Sequence, residues 1–85
     1  MKVDVLYFAS LREAVGCDRE RLDLPPRIMT AGELRGFLRE RGGAWAEALA
    51  DSRTLRIAVD QAMAGPDAPL RDGAEVAFFP PVTGG

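Results

Sequence analysis

The two most apolar stretches of this sequence lie near its two ends. Residues 2–8 read KVDVLYF and residues 74–79 read AEVAFF. In the first stretch, Val3, Val5 and Tyr7 alternate with the other side chains, which predicts a β-strand with apolar residues on much of both faces. A chain of 85 residues folds around one modest core. Both stretches therefore belong at the centre of one sheet, and we expect them to be neighbours.

Two further strands are predicted between these ends. Residues 19–24 (RERLDL) alternate charged and apolar side chains, and we expect them to form a hairpin-like pair with the first strand. Residues 55–60 (LRIAVD) show the same alternation. Residues 61–73 contain glycines and prolines, which predict turns, with Leu70 as a core residue and a turn leading into the last strand.

The main helix is predicted after a capping box. Thr30 and Glu33 have the spacing at which the two side chains and two backbone amides satisfy one another. Leu34, Phe37 and Leu38 follow at helical intervals, and the paired glycines at 42–43 are expected to end the helix. A second short helix is expected around Trp45 and Leu49.

A short helix is also predicted directly after the first strand. Ser10 and Glu13 repeat the spacing of a capping box, and Gly16 suits the end of that helix because it tolerates a positive φ. The order of elements is thus β, short α, β, long α, short α, β, turn, β. This order predicts an α+β domain of ubiquitin-like β-grasp architecture, a mixed sheet packed on one main helix.

The composition argues against several classes of function. Eleven basic and thirteen acidic residues give a net charge of −2 and are interspersed, so we expect no nucleic-acid binding. The chain contains no histidine, which removes Ser-His and Cys-His pairs and most zinc sites; we expect no metal. Cys17 is the only cysteine, which fits a reducing, cytoplasmic environment, and nothing marks its thiol as activated. We expect no signal peptide and no membrane span.

The last residues predict an extended arm. The β-grasp domain is expected to cover residues 1–79 and a tail, mobile in the free protein, residues 80–85. Pro80 and Pro81 fix their own φ angles and favour extended conformations before them, so the arm leaves the last strand stiffened. Six residues reach at most about 20 Å, with Val82 and Thr83 spanning the distance to its end.

Gly84 and Gly85 close the sequence. Without Cβ atoms, they can pass through a narrow channel and leave the terminal carbonyl carbon unhindered. The α-carboxylate is ionised at neutral pH and is a poor electrophile. Gly85 is therefore a plausible attachment point that needs an activating partner, and the alternative is an incidental glycine ending.

An apolar surface is predicted beside this tail. By strand parity Phe79 lies on the outer face of the last strand, and Phe8 lies opposite Val3, Val5 and Tyr7 on the first. If the strands are neighbours, the two rings form one exposed patch suited to a protein partner. The alternative is that the loops of residues 61–73 cover both rings. A solvated side chain is the default expectation for Arg12.

Three segments of the sequence closely resemble a known family. These are LYFASLREAVG at 6–16, AVDQ at 58–61 and LRDGAEVAFFPPVTGG at 70–85. They are similar to the small subunit of molybdopterin synthase, the MoaD family of ubiquitin-like sulfur carriers. The resemblance runs through the whole chain, although residues 19–53 match only in pattern. Ala74 departs from the family, where Asp is frequent.

The resemblance implies a sulfur-carrying cycle in a subunit that has no active site of its own. A ubiquitin-activating-like adenylyltransferase would use ATP to adenylate Gly85, and sulfur would displace AMP to give a thiocarboxylate. The tail, with Gly84 as the threading residue, would enter the large synthase subunit and donate sulfur to a pterin precursor. Two large and two small subunits are implied, with no cofactor bound to the carrier. Phe8, Arg12 and Phe79 match family positions that contact the partner.

Other functions also use a C-terminal diglycine. A carrier of this type could serve thiamine-type synthesis or tRNA thiolation instead. A covalent protein modifier, joined through Gly85 to lysines of its targets, belongs to a different class. A plain interaction module with an incidental tail is the third alternative.

Overall fold

The structure, a computed structural model, describes residues 1–81 and contains five strands and three helices in that range. In chain order the elements are β1 (Lys2–Tyr7), α1 (Ala9–Val15), β2 (Arg19–Asp23), α2 (Ala31–Arg39), α3 (Gly43–Ala48), β3 (Arg56–Val59), β4 (Ala62–Ala64) and β5 (Glu75–Phe79). None of the helices in this described range is long and apolar enough to span a membrane.

The five strands form one mixed sheet in the order β2-β1-β5-β3-β4. The strands at the two ends of the chain, β1 and β5, are central and parallel, with Val5 opposite Val76 and Tyr7 opposite Phe78. All other neighbouring pairs are antiparallel. The predicted pairing of the first and last strands is confirmed, and so is the hairpin-like pairing of the second with the first.

One face of the sheet packs against α2 to form the core. Val5, Val76 and Phe78 point to this face and are fully buried. Leu34 and Leu38 from α2 are also fully buried and belong to the same apolar cluster. Since each large apolar side chain contributes about 1.5–3 kcal/mol when buried, this layer supplies most of the driving force for folding. The predicted α+β, β-grasp fold is confirmed.

The main helix begins as predicted and ends earlier than predicted. Its capping box is present: the Glu33 amide donates to the Thr30 hydroxyl at 3.2 Å, and the Thr30 amide donates to the Glu33 carboxylate at 3.1 Å. The helix ends at Arg39, because the following amides form tighter i to i−3 bonds. The prediction that Gly42 and Gly43 end it was wrong. Gly42, with φ +74°, instead precedes α3.

The short helix α1 also begins earlier than its sequence suggests. Its N-cap is Phe8, and no side chain caps it, so the predicted capping box of Ser10 and Glu13 was wrong. The Phe8 amide donates to the Phe78 carbonyl of β5, while the Phe8 carbonyl accepts the first helical bonds from Leu11 and Arg12. The helix therefore starts directly at the end of β1. Gly16 ends it with φ +72°, as expected.

A short strand lies in the segment that was predicted to contain only turns. Strand β4 pairs with β3 through a two-residue turn, Asp60–Gln61, in which both residues have positive φ. Hairpin turns of this kind usually carry Asn or Gly, so the sequence lacks the usual signal. Leu70 is buried, as predicted. The segment thus supplies both a core residue and an edge strand.

A polar cluster joins the sheet to the helices. The Tyr7 hydroxyl donates to Glu20 at 2.9 Å, and Arg41 donates two bonds to the same carboxylate at 2.8 and 2.9 Å. The Arg41 guanidinium also lies 4.3 Å from the centre of the Trp45 ring. The Arg41 hydrogen bond, with the Tyr7 bond adding to it, holds the pKa of Glu20 below its ordinary value. Burial, and then Glu20, raise the pKa of Tyr7 above its usual range.

Replacing Glu20 tests this cluster. The lowered pKa means that the carboxylate stabilises the fold above its ordinary pKa of 4.5, and that this contribution is lost as pH falls through the folded value. We expect Glu20→Gln to lower the free energy of unfolding by about 1–3 kcal/mol at pH 7. The difference from wild type should shrink below about pH 4.5, as measured by urea unfolding at several pH values. A difference that is constant with pH would contradict the assignment.

Candidate functional site at the tail exit

The parallel pairing of β1 and β5 brings two phenylalanine rings to one end of the sheet. Tyr7 and Phe78 are paired, so the next residues, Phe8 and Phe79, leave the sheet side by side. Their ring centroids are 6.5 Å apart and the planes are nearly perpendicular, the edge-to-face arrangement that aromatic pairs favour. The chain continues from Phe79 into Pro80. The aromatic pair therefore lies at the base of the predicted tail.

The two rings differ in exposure. Phe8 is 43% exposed, and Phe79, which was predicted to face outward while Phe78 faces the core, is half-buried. Phe79 is still paired within the sheet, whereas Phe8 lies just beyond β1 as the N-cap residue of α1. The alternative that residues 61–73 cover the rings is wrong for Phe8. The Thr30–Pro69 bridge places the end of that loop beside the start of α2 instead.

A band of apolar side chains crosses the outer face of the sheet. Leu6, Ala77, Ala58 and Met63 lie in register on four neighbouring strands. Ala77 is buried between its neighbours, while Met63 on the edge strand is 62% exposed. Met63 was not predicted as a surface residue of the sheet, because its segment was predicted to form turns. Its register opposite Ala58 on β3 places Met63 on this face.

Arg12 lies one helical turn after Phe8. Its amide donates to the Phe8 carbonyl at 3.3 Å, and its side chain is exposed. Within residues 1–81, no carboxylate lies within 4.0 Å of its guanidinium. The default expectation of a solvated arginine therefore describes the free chain, and its charge is available to a partner.

A groove adjoins the first residue of the tail. It lies between α1 and α3 and has a volume of about 300 Å³. Pro80 forms one wall, and Leu11, Ala48 and Leu55 provide apolar surface. The loop after α3 is held in place by Arg35, which donates to the backbone carbonyls of residues 49, 50 and 53. The base of the tail thus rests between the aromatic pair and a preformed groove.

The predicted tail residues divide at the limit of the described chain. Pro80 and Pro81 are half-buried. Val82, Thr83, Gly84 and Gly85, which include the predicted attachment point, lie outside the described residues. Cys17 is half-buried, and its thiol donates to the Arg19 carbonyl at 3.2 Å. No group of three His, Cys, Asp or Glu side chains that could hold a metal occurs in residues 1–81.

Truncating each ring separates contact surface from core. Phe78→Ala should lower the free energy of unfolding by about 3–5 kcal/mol, because Phe78 is fully buried. Phe8→Ala should cost less than about 1 kcal/mol, because much of that ring already faces water. Urea unfolding monitored by far-ultraviolet circular dichroism measures both values. Equal losses would show that Phe8 is a structural residue.

Comparison with known proteins connects this geometry with a family. A model of the ThiS family matches residues 5–85. The molybdopterin synthase sulfur carrier subunit of Escherichia coli (strain K12) is 46% identical over 85 residues, covering 98% of this chain and 99% of that protein.

Solved structures show the same fold. A putative molybdopterin converting factor, subunit 1, from Pyrococcus furiosus superposes with a TM-score of 0.79 at 30% identity, covering 96% of this chain and 99% of that one. A protein–protein complex of subunits 1 and 2 of molybdopterin-converting factor from Helicobacter pylori 26695 contains a chain with a TM-score of 0.66 and 26% identity. The match covers all of both chains.

Proposed function

The chain belongs to the ThiS family, and from that premise we propose that it is a sulfur carrier that delivers sulfur from Gly85 for the synthesis of molybdopterin. The observation that carries the proposal is the 46% identity to a molybdopterin synthase sulfur carrier subunit over nearly the whole of both chains. The geometry of the tail exit supports it, since the described surface beside Pro80 offers apolar contact area and an uncommitted positive charge. We propose that it works in the cytoplasm.

The proposed docking surface is the end of the sheet from which the tail leaves. It consists of Phe8, Arg12 and Phe79, extended across the outer face to Met63. Exposed aromatic and Met side chains are typical of the centres of protein interfaces, and arginine is enriched there. The partner is the large subunit of the synthase, in a heterotetramer of two large and two small subunits. The Helicobacter pylori complex of subunits 1 and 2 supports a pairing of this kind.

Activation of Gly85 takes place on a second partner. An adenylyltransferase binds ATP, and a carboxylate oxygen of Gly85 attacks the α-phosphorus, which releases pyrophosphate and gives an acyl-adenylate. A sulfur nucleophile then attacks the carbonyl carbon, and AMP leaves with the electron pair of the broken C–O bond. When this nucleophile is hydrosulfide, its attack gives the thiocarboxylate on Gly85 directly. When it is a persulfide of the donor, a thiol attacks the donor's sulfur in the resulting acyl disulfide, forms a disulfide with the donor and releases the thiocarboxylate. In its ionised form this group presents a sulfur nucleophile, whereas the original carboxylate presents only oxygen.

Transfer takes place in the large subunit. The thiocarboxylate sulfur attacks a carbon of the pterin precursor, and a C–O bond at that carbon breaks with its electron pair on oxygen. Hydrolysis of the resulting acyl–sulfur bond then returns Gly85 to a carboxylate and leaves the sulfur on the precursor. Pro80 and Pro81 keep the base of the tail from folding back, which lowers the entropy lost on insertion. Val82 and Thr83 span the distance, and Gly84 fits where a Cβ would not. The carrier supplies position and sulfur, and the partner supplies the catalytic groups.

Removal of Gly85 tests the proposal. The shortened chain should form no molybdopterin with the large subunit, an adenylyltransferase, ATP and a sulfur donor, because its activated residue is missing. Its midpoint of thermal unfolding should stay within about 1 °C of wild type, because the core cluster found in residues 1–81 stays unchanged. Product formation is measured by fluorescence of the oxidised pterin.

Three outcomes would contradict the proposal in different ways. Molybdopterin formation without Gly85 would exclude it as the sulfur carrier. A wild-type chain that forms the thiocarboxylate but gives no pterin product with the large subunit would indicate a carrier for another pathway. Conjugates of higher mass that resist thiols would indicate a protein modifier.

A further inference from the structure

Arg56 is placed directly beside the aromatic pair. It is the first residue of β3, and its register partner on β5 is Phe79. Residues opposite one another in a sheet share a face, so Arg56 and Phe79 lie on the same outer surface. Its side chain is exposed. Arg56 therefore borders the aromatic pair at Phe79, and Arg12 follows Phe8 by one helical turn.

The charges on this end of the sheet are not neutralised by the chain itself. Seven ion pairs occur within residues 1–81, and neither Arg12 nor Arg56 takes part in any of them. Farther along the outer face, Arg19 and Arg21 share Asp4, and Glu75 lies opposite Asp4 on β5, so the charges of this cluster balance. The uncompensated positive charge at this end therefore belongs to Arg12 and Arg56, although the whole chain has a net charge of −2.

The opposite end of the same face carries acidic side chains. β1 and β5 run toward the tail exit, whereas β2 and β3 run away from it. The ends of β2 and β3 remote from the tail therefore carry Asp23 and Asp60, beside Glu75 at the start of β5. Glu13 on α1 and Asp18, whose carbonyl accepts a bond from the Tyr7 amide, lie near the end of β1, and neither carboxylate lies within 4.0 Å of an arginine in the described residues. That remote end carries both signs, because Lys2 lies opposite Asp23 on the same face. At the tail end, Arg12 and Arg56 have no carboxylate within 4.0 Å in the described residues.

We propose that Arg56 is a recognition residue that, together with Arg12, surrounds the aromatic pair with positive charge and selects a partner surface with acidic side chains around an apolar recess. This inference rests on the proposed function and identifies the chemistry of the large subunit's docking face. Charge complementarity of this kind steers encounter and fixes orientation. It directs the large subunit to the end of the sheet from which the tail emerges, so productive encounters bring the tail toward the active site.

Charge reversal at Arg56, with a matched control, tests the inference. Arg71 is also exposed and absent from the ion pairs of the described chain, but it lies just before β5, at the end of the sheet remote from the tail. Arg56→Glu and Arg71→Glu change the net charge by the same amount. We measure the association rate of each full-length variant with the large synthase subunit by stopped-flow fluorescence.

We expect Arg56→Glu to lower the association rate about tenfold at about 0.05 M salt and Arg71→Glu to lower it less than about twofold. The association rates of the two variants should converge near 1 M salt, where the Debye length is about 3 Å. Arg56→Lys should keep most of the wild-type rate. Equal effects of Arg56→Glu and Arg71→Glu would overturn the inference while leaving the proposed function intact. If the wild-type chain does not bind the large subunit, the proposed function fails and this inference fails with it.

Discussion

The parallel pairing of β1 with β5 joins the two ends of the chain in the centre of the sheet. Residues more than seventy positions apart along the sequence become hydrogen-bonded neighbours, and Val5, Val76 and Phe78 are fully buried on the face covered by α2. Closing so long a loop costs conformational entropy, which the buried apolar area offsets. A polar substitution on the inner face of either strand would therefore weaken the core and the position of the tail together.

The same pairing determines the geometry of the proposed site. Because β1 and β5 are parallel, both strands finish at the same end of the sheet. There β1 leads into α1 at Phe8, and β5 continues into Pro80. The aromatic pair, the start of α1 and the tail therefore meet without any long connecting loop. The antiparallel neighbour β3 begins at this end of the sheet, which places Arg56 opposite Phe79. The residues proposed to recognise the partner and the base of the tail therefore lie together at one end of the sheet.

The period of the strands and the apolar character of the first and last strands were sufficient to predict the fold and the position of the aromatic pair. A period of two places Phe8 opposite Tyr7 and Phe79 opposite Phe78, and the most apolar strands occupy the centre of a sheet. The capping box at Thr30 was also predictable, because its bonds are local and its helix is long enough to need them. These features depend on side chains near one another in the sequence or on the overall division between inside and outside.

The features that escaped prediction depend on tertiary contacts. Ser10 has the spacing of an N-cap, but the hydrogen bond from Phe8 to β5 starts the helix earlier. Strand β4 forms through a turn with positive φ at Asp60 and Gln61, which local propensity disfavours and pairing with β3 stabilises. Met63 and Arg56 gain their significance only from cross-strand register, which a single sequence does not fix. The Glu20 carboxylate on β2 likewise binds Tyr7 of β1 and Arg41 of the connection between α2 and α3.

The central claim is that Gly85 itself carries the sulfur. The most direct test is the intact mass of the full-length chain after incubation with ATP, an adenylyltransferase and a sulfur donor. Replacement of one carboxylate oxygen by sulfur predicts a gain of about 16 Da, located by fragmentation on Gly85 and lost after transfer to the large subunit. An unchanged mass under conditions that convert the Escherichia coli sulfur carrier subunit, or a gain located on Cys17, would contradict it.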